Sequence, residues 1–228
     1  MNAFRQNIPD KTFETLNQQG GYTRLVVSPG IINKHYTPAQ FQKIAEIVGE
    51  KGAIKYSASY SILLSIPSSE LTEATHALQE AGLFVASSGP HIAMKACDFC
   101  DGEKMEAVPQ TEQLYQALDG ITVPTRIRVN VNGCASACYN PTYDDIGLVY
   151  QHESFDVYLG AIPMGAKAQA GTLFAKRVRI DHIEDFLLQI IRLYQNQARS
   201  NEPFYKFYRR TKMNADWELV KKSIELQE

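Results

Sequence analysis

Four thiols are the residues here whose types and spacing most directly suggest chemistry. Cys97 and Cys100 stand in KACDFCDGE as Cys-x-x-Cys, and Cys134 and Cys138 stand in NGCASACYNP as Cys-x-x-x-Cys. Each local pair lets two sulfurs reach one ion or cluster at little cost in loop closure. The small spacer Ala135-Ser136-Ala137 lets backbone approach inorganic sulfide closely. Zinc accepts four thiolates in a tetrahedron, but its structural knuckles favour two short pairs of similar kind, and the two pairs here are unequal. A four-iron cluster tolerates such spacing and takes four cysteine ligands. Residue chemistry therefore favours a 4Fe-4S cluster and leaves a zinc site or plain reduced thiols open.

The elements that must position these thiols follow from pattern and punctuation. Upstream, TRLVVSP reads as a strand, and Thr37-Pro38-Ala39-Gln40 supplies the N-cap, first-turn proline and N3 glutamine of a capping box. A helix to about Lys51 follows, with Phe41, Ile44, Ala45 and Val48 at helical spacing. AIKYSASYSILLSIP suits one strand or a tight pair, and Ser68 or Ser69 is placed to cap a helix that stops at Gly82. SSGPH, residues 87–91, punctuates two patterned regions as a linker. Beyond it come a helix around Thr111 to Asp119 and a strand in VPTRIRVNVNGC. In that strand Ile127, Val129 and Val131 alternate with Arg126, Arg128 and Asn130, so one face is cationic. IGLVY and FDVYLG read as further strands, Asp181 with Glu184 as the cap of a helix to about Arg199, and the tail from Asn214 as helical.

Composition narrows the classes. The chain has 228 residues and 44% hydrophobic content, enough for a real core in one domain or two small ones. Net charge is -2 with the signs interspersed, which gives no pull towards nucleic acid, and no apolar run is long enough to span a membrane. The absence of an export pattern and the clustered cysteines lead to the expectation of a cytoplasmic protein with reduced thiols.

The second cysteine motif, Asn132-Gly133-Cys134 with Ser136 and Cys138, is followed by Asp145-Ile146-Gly147-Leu148. This pattern resembles that of the siroheme-dependent nitrite and sulfite reductases. The likeness extends upstream to VPTRIRV and, through SILLSIPSSEL and the helix ending EAGL, to that family's ferredoxin-like half domain. It covers roughly residues 22 to 200. The implied fold is α+β: an N-terminal arm (1–21), a ferredoxin-like half domain (22–86), an α/β iron-sulfur and siroheme domain (87–212) and a helical tail (213–228).

The resemblance also implies roles. Cys97, Cys100, Cys134 and Cys138 hold a 4Fe-4S cluster, with Cys138 bridging to the iron of siroheme. Arg126 and Arg128 face a bound oxyanion and the haem carboxylates, in a place where the family usually has lysines. The glycine-rich stretch IPMGAKAQAGTLFAKRVR stands where the family wraps the haem, which gives Gly160, Gly165 and Lys167 to cofactor binding. The family's arginines on the strand that reads SASYS and before the first cysteine pair are absent here, and Lys95 and His91 are the nearest cations. The implied activity is six-electron reduction of nitrite or sulfite, with electrons from a separate donor protein, since no dinucleotide-binding glycine motif is present. The other half of the haem pocket is then missing or supplied by a second copy in a homodimer. The alternative is an electron-transfer or assembly protein on the same scaffold, carrying the cluster without siroheme.

Overall fold

The computed structural model describes residues 10–57, 60–86 and 89–225. The first nine residues of the expected arm, two residues of the expected linker and the last three of the tail lie outside them. The chain divides into two compact units, Met1–Ser88 and Gly89–Glu228.

The first unit runs α1 (Phe13–Gln19), β1 (Tyr22–Ser28), α2 (Pro38–Val48), β2 (Ala53–Tyr56), β3 (Ile62–Pro67), α3 (Leu71–Glu80) and β4 (Phe84–Ala86). Its strands pair antiparallel in the order β2-β3-β1-β4, the arrangement of a split βαβ, ferredoxin-like unit. Alternation places Leu25 and Val27 of β1 and Ile62, Leu64 and Ile66 of β3 on one face, packed with Ile44 and Val48 of α2 and Ala74 and Leu78 of α3. Thr37 and Gln40 form the expected capping box. The Gln40 side chain then reaches on, its amide donating to the carbonyls of Ala81 and Gly82, so one residue ties the start of α2 to the end of α3. The helix ends at Val48 because Gly49 turns out of it at φ 50°.

One local expectation in this unit is corrected. Ser68 and Ser69 sit in a three-ten turn and cap nothing; Glu70 occupies the cap position without a side-chain bond. Residues 13–19 form a capped helix whose Leu16 is fully buried.

The second unit comprises β5 (Ile92–Ala96), α4 (Val108–Leu118), β6 (Ile127–Asn132), β7 (Ile146–Gln151), β8 (Ser154–Leu159), β9 (Thr172–Arg179), α5 (Ile183–Gln197), α6 (Phe204–Thr211) and α7 (Ala215–Glu225). The strands lie in sequence order, with β5, β6 and β7 parallel and β8 and β9 antiparallel. Ile127, Val129 and Val131, paired with Ile92, Met94 and Ala96, are all buried on the apolar face. Phe174 of β9, Phe186 and Tyr194 of α5, Phe204, Phe207 and Tyr208 of α6, and Trp217 of α7 form a continuous aromatic core. The buried Trp217 indole donates to the Thr211 hydroxyl, which satisfies its one polar atom.

Residues 172–179, read from sequence as part of a glycine-rich wrap, are a strand. Their alternation is broken by a bulge in the pairing of β8 with β9, where Arg177 at φ 55° donates its N–H to the buried Asp156 carboxylate. The cap expected from Asp181 and Glu184 does not form: His182 holds the cap position, and Asp181 pairs instead with Arg179 at 2.9 Å.

Candidate metal centre

Parallel pairing of β5 with β6 sets Ala96 opposite Val131, so both strands end at the same edge of the sheet and both cysteine segments leave from there. Crevices at the carboxyl ends of parallel strands are the usual ligand sites of such sheets. Cys97 continues the ladder, its N–H donating to the Val131 carbonyl. Its sulfur accepts the N–H of Gly133, 3.2 Å away and 36 residues along the chain.

The first loop then folds tightly. Phe99, Cys100 and Asp101 all take the left-handed conformation, at φ 52°, 54° and 52°. Consecutive non-glycine residues there are strained and persist only where surroundings hold them. Burial of the Phe99 ring supplies that hold, as does the Asp98 carboxylate, which accepts the Cys100 N–H at 3.0 Å. A Cβ on Gly133 would stand 2.5 Å from the Phe99 ring, so only glycine lets the two loops close on each other. In the second loop Ala137 and Asn140 also take left-handed turns.

All four cysteines are free thiols: Cys97 is buried, Cys134 half-buried, Cys100 and Cys138 exposed. Burial pushes the Cys97 thiol up, the N–H groups of Gly133 and Phe99 oppose this, and the charges of Cys138 and Asp98 raise it further. Desolvation likewise raises Cys100, followed by the fields of Cys134, Asp98 and Cys138. The two pairs therefore lie within electrostatic reach of one another. Among the described residues no three His, Cys, Asp or Glu side chains converge on a single-ion position. The donor set is wholly sulfur, which suits an iron-sulfur cluster.

Of the three cations named from sequence, Lys95 of β5 and Arg128 of β6 come to one face of these two strands, while Arg126 precedes β6 and lies outside it. Lys95 stands opposite Asn130 in the register, and Arg128 is two residues before Asn130 on that face. Arg126 is close enough to Arg128 for its guanidinium to be pushed down, first by burial and then by that like charge, with Asp119 opposing. Two neighbouring carboxylates, not anticipated as partners, meet these cations. Asp144 pairs with Lys95 at 2.9 Å and accepts the Asn130 amide. Asp145 accepts the Arg128 N–H at 2.9 Å and lies 3.8 Å from that guanidinium. Burial pushes Asp145 up to about 6 against the pull of Arg128, and Asp144 adds to the rise.

The residues assigned to a haem wrap fall into two settings. Gly160 sits at φ 82° with the Tyr208 ring 2.5 Å from where a Cβ would stand, so its smallness serves core packing. Gly165 turns an exposed hairpin loop in open space, and Lys167 is exposed on the same loop.

Residues 93–224, more than half of the chain, match the family model described as the nitrite and sulphite reductase 4Fe-4S domain, and the chain belongs to that family. The family supports an iron-sulfur cluster. The chain is 40% identical over 188 residues to the cobalt-factor III methyltransferase of Priestia megaterium, covering 82% of this chain and 35% of that protein. It is 24% identical over 135 residues to an uncharacterized protein of Methanocaldococcus jannaschii, covering 57% of this chain and 48% of that one. It thus spans about a third and about half of these relatives. In fold it is similar to Mycobacterium tuberculosis NirA, with a TM-score of 0.66 at 11% identity over 89% of this chain and 40% of NirA. It is also similar to dissimilatory sulfite reductase I, with a TM-score of 0.68 at 12% identity over 91% of this chain and 71% of that one.

Proposed function

We propose that this chain is an iron-sulfur redox domain that takes up and hands on single electrons through a 4Fe-4S cluster held by Cys97, Cys100, Cys134 and Cys138. The observation that carries this reading is the closure of the two cysteine loops on each other through the Gly133 N–H to Cys97 sulfur bond and the Phe99 ring packed on Gly133. Such a cluster, when bound, supplies one-electron transfer. The chain's own residues supply the rest. The Gly133 N–H favours the Cys97 thiolate, and buried Phe99 keeps water from the inner side. Exposed Cys100 and Cys138 leave an outer edge open to a separate electron-donor protein.

The finer reading, siroheme bridged through Cys138 and six-electron reduction of nitrite or sulfite, rests on Arg126, Arg128 and Lys95. Half-buried Arg128 on β6, with half-buried Arg126 just before that strand, is the observation in its favour. Against it, Lys95 and Arg128 already meet Asp144 and Asp145, so an added oxyanion competes with built-in carboxylates. Gly160 and Gly165, carried over for the haem, face a packed ring and open solvent. Gly160 is taken up by core packing, and on these grounds we favour the cluster-only reading. The likeness to a methyltransferase named for cobalt-factor III, of which this chain spans 35%, leads us to favour a cofactor of that kind over free nitrite or sulfite as the electron acceptor. A homodimer that completes a haem pocket belongs to the siroheme reading.

The test is an absorption spectrum of anaerobically purified protein together with iron, sulfide and zinc analysis. Broad cluster absorption with about four iron per chain and no haem bands is expected. Soret and Q bands would establish the siroheme reading instead, and zinc in place of iron would reject both. Substitution Cys138→Ser should deplete the cluster.

A further inference from the structure

Two residues next to the proposed ligands have side chains that the proposed function has not used. Asp98 follows Cys97, and Tyr139 follows Cys138, 41 residues apart in sequence between the two side chains. The Tyr139 hydroxyl donates to one oxygen of Asp98 at 3.0 Å, while the other oxygen accepts the Cys100 N–H at 3.0 Å. One carboxylate thus joins the turn that carries Cys100 to the residue that follows Cys138. The Tyr139 backbone is fastened as well: its N–H donates to Asn132 at 3.0 Å, and its carbonyl accepts from Asn130 at 2.8 Å. Asn130 is itself anchored on buried Asp144. Tyr139 is therefore held at three atoms by two different segments, which leaves Cys138 little freedom of its own.

We infer that Asp98 and Tyr139 form a clasp between the two cysteine loops that sets how firmly the cluster is retained and at what potential it works; this rests on the cluster reading. Both are positioning residues, since each acts through the loops it joins. Retention follows because a cluster leaves when one loop swings away from the other, and the clasp opposes that swing with a hydrogen bond to an ionised group. Potential follows because net charge and hydrogen bonding near the sulfurs set it. The Asp98 charge favours the oxidised cluster, and the Tyr139 hydroxyl offsets part of that charge.

The test uses the anaerobically purified full chain, wild type against Tyr139→Phe, Asp98→Asn and the double variant. Iron per chain, the rate of cluster loss to an iron chelator and the midpoint potential are measured. Tyr139→Phe should lose its cluster about tenfold faster, the worth of one charge-assisted hydrogen bond. Its potential should fall, because the carboxylate is left uncompensated, whereas Asp98→Asn should raise the potential. The double variant should match Asp98→Asn in potential and should lose its cluster more slowly than the product of the two single effects. A purely structural role does not produce shifts of opposite sign. A loaded wild type with Tyr139→Phe unchanged in rate and potential, or potentials that move in the same direction, overturns the clasp alone. A wild type that carries no iron overturns the cluster reading and the clasp together.

Discussion

The sheet of the N-terminal unit buries an almost wholly apolar set, with Ser61 and Ser65 its buried polar exceptions among the described residues. The five-stranded sheet and its loops bury Asn130, Asn132, Asp144, Asp145 and Asp156 beside their valines and leucines. Burying polar groups costs free energy unless each finds a partner. Those just named in the second unit do: Asn130 bonds Asp144, Asn132 bonds Asn130, Asp145 accepts the Arg128 N–H, and Asp156 accepts the Arg177 N–H. Both units are layered mixed folds, and among the described residues the second carries a connected polar network under its surface. That network lies beneath the cysteine loops, so it holds Tyr139 and Lys95 where an apolar core would leave them loose. The contrast teaches that the first unit is organised for packing and the second for placing particular groups.

Substitutions sharpen or break this contrast. Leu64→Ala, in the apolar core of the first unit, should cost about 3 to 5 kcal/mol in chemical denaturation and leave iron per chain at its wild-type level. Iron loss in parallel would show the cluster depending on that core. Gly147→Ala in the second unit places a Cβ 2.2 Å from the Pro141 carbonyl oxygen. It should cost about 3 kcal/mol and deplete iron, because the displaced segment continues the second cysteine loop. A near-neutral result with full iron would break the proposed link between network and centre.

Asp145 makes the network sensitive to pH. Its folded pKa of about 6 lies above its ordinary value of 3.8, so the native state binds this proton more tightly than the unfolded chain does. Its contribution is fully present below about pH 4 and is lost as pH rises through 6, roughly 2 to 3 kcal/mol in all. Asp145→Asn should flatten that part of the stability profile in denaturant melts at pH 4 and pH 7; an unaltered slope would remove Asp145 as its source. The smallest effect is expected for Thr37→Ala, which removes the cap of α2 and should cost about 1 kcal/mol without touching iron content.

Much of the fold was legible. The Thr37 capping box, the helical spacing of Ile44 and Val48, and the alternation of Ile127, Val129 and Val131 are local signals, and the structure contains each of them. β5 was not read as a strand, because IAMKA is short and its lysine looks like surface until Asp144 is seen to pair with it. β9 escaped because its bulge breaks the period of two. In the candidate site the paired thiols stood out by type and spacing and the cations through the family resemblance, while the carboxylates that meet Lys95 and Arg128 were not legible. Asp145 accepts from Arg128 across 17 residues, and nothing in either local segment announces that pairing.

The sequence by itself determined the spacing of the two thiol pairs, the alternating and helical faces, and the turns at which glycine is required, since these depend on residue type and near neighbours. Only the tertiary structure decided that Cys97 receives the Gly133 N–H and that Asp98 receives the Tyr139 hydroxyl. The physical reason is that these meetings depend on the parallel register of β5 against β6, with Ala96 opposite Val131. Such a register is set by the packing of the whole sheet, and no local stretch of chain encodes it.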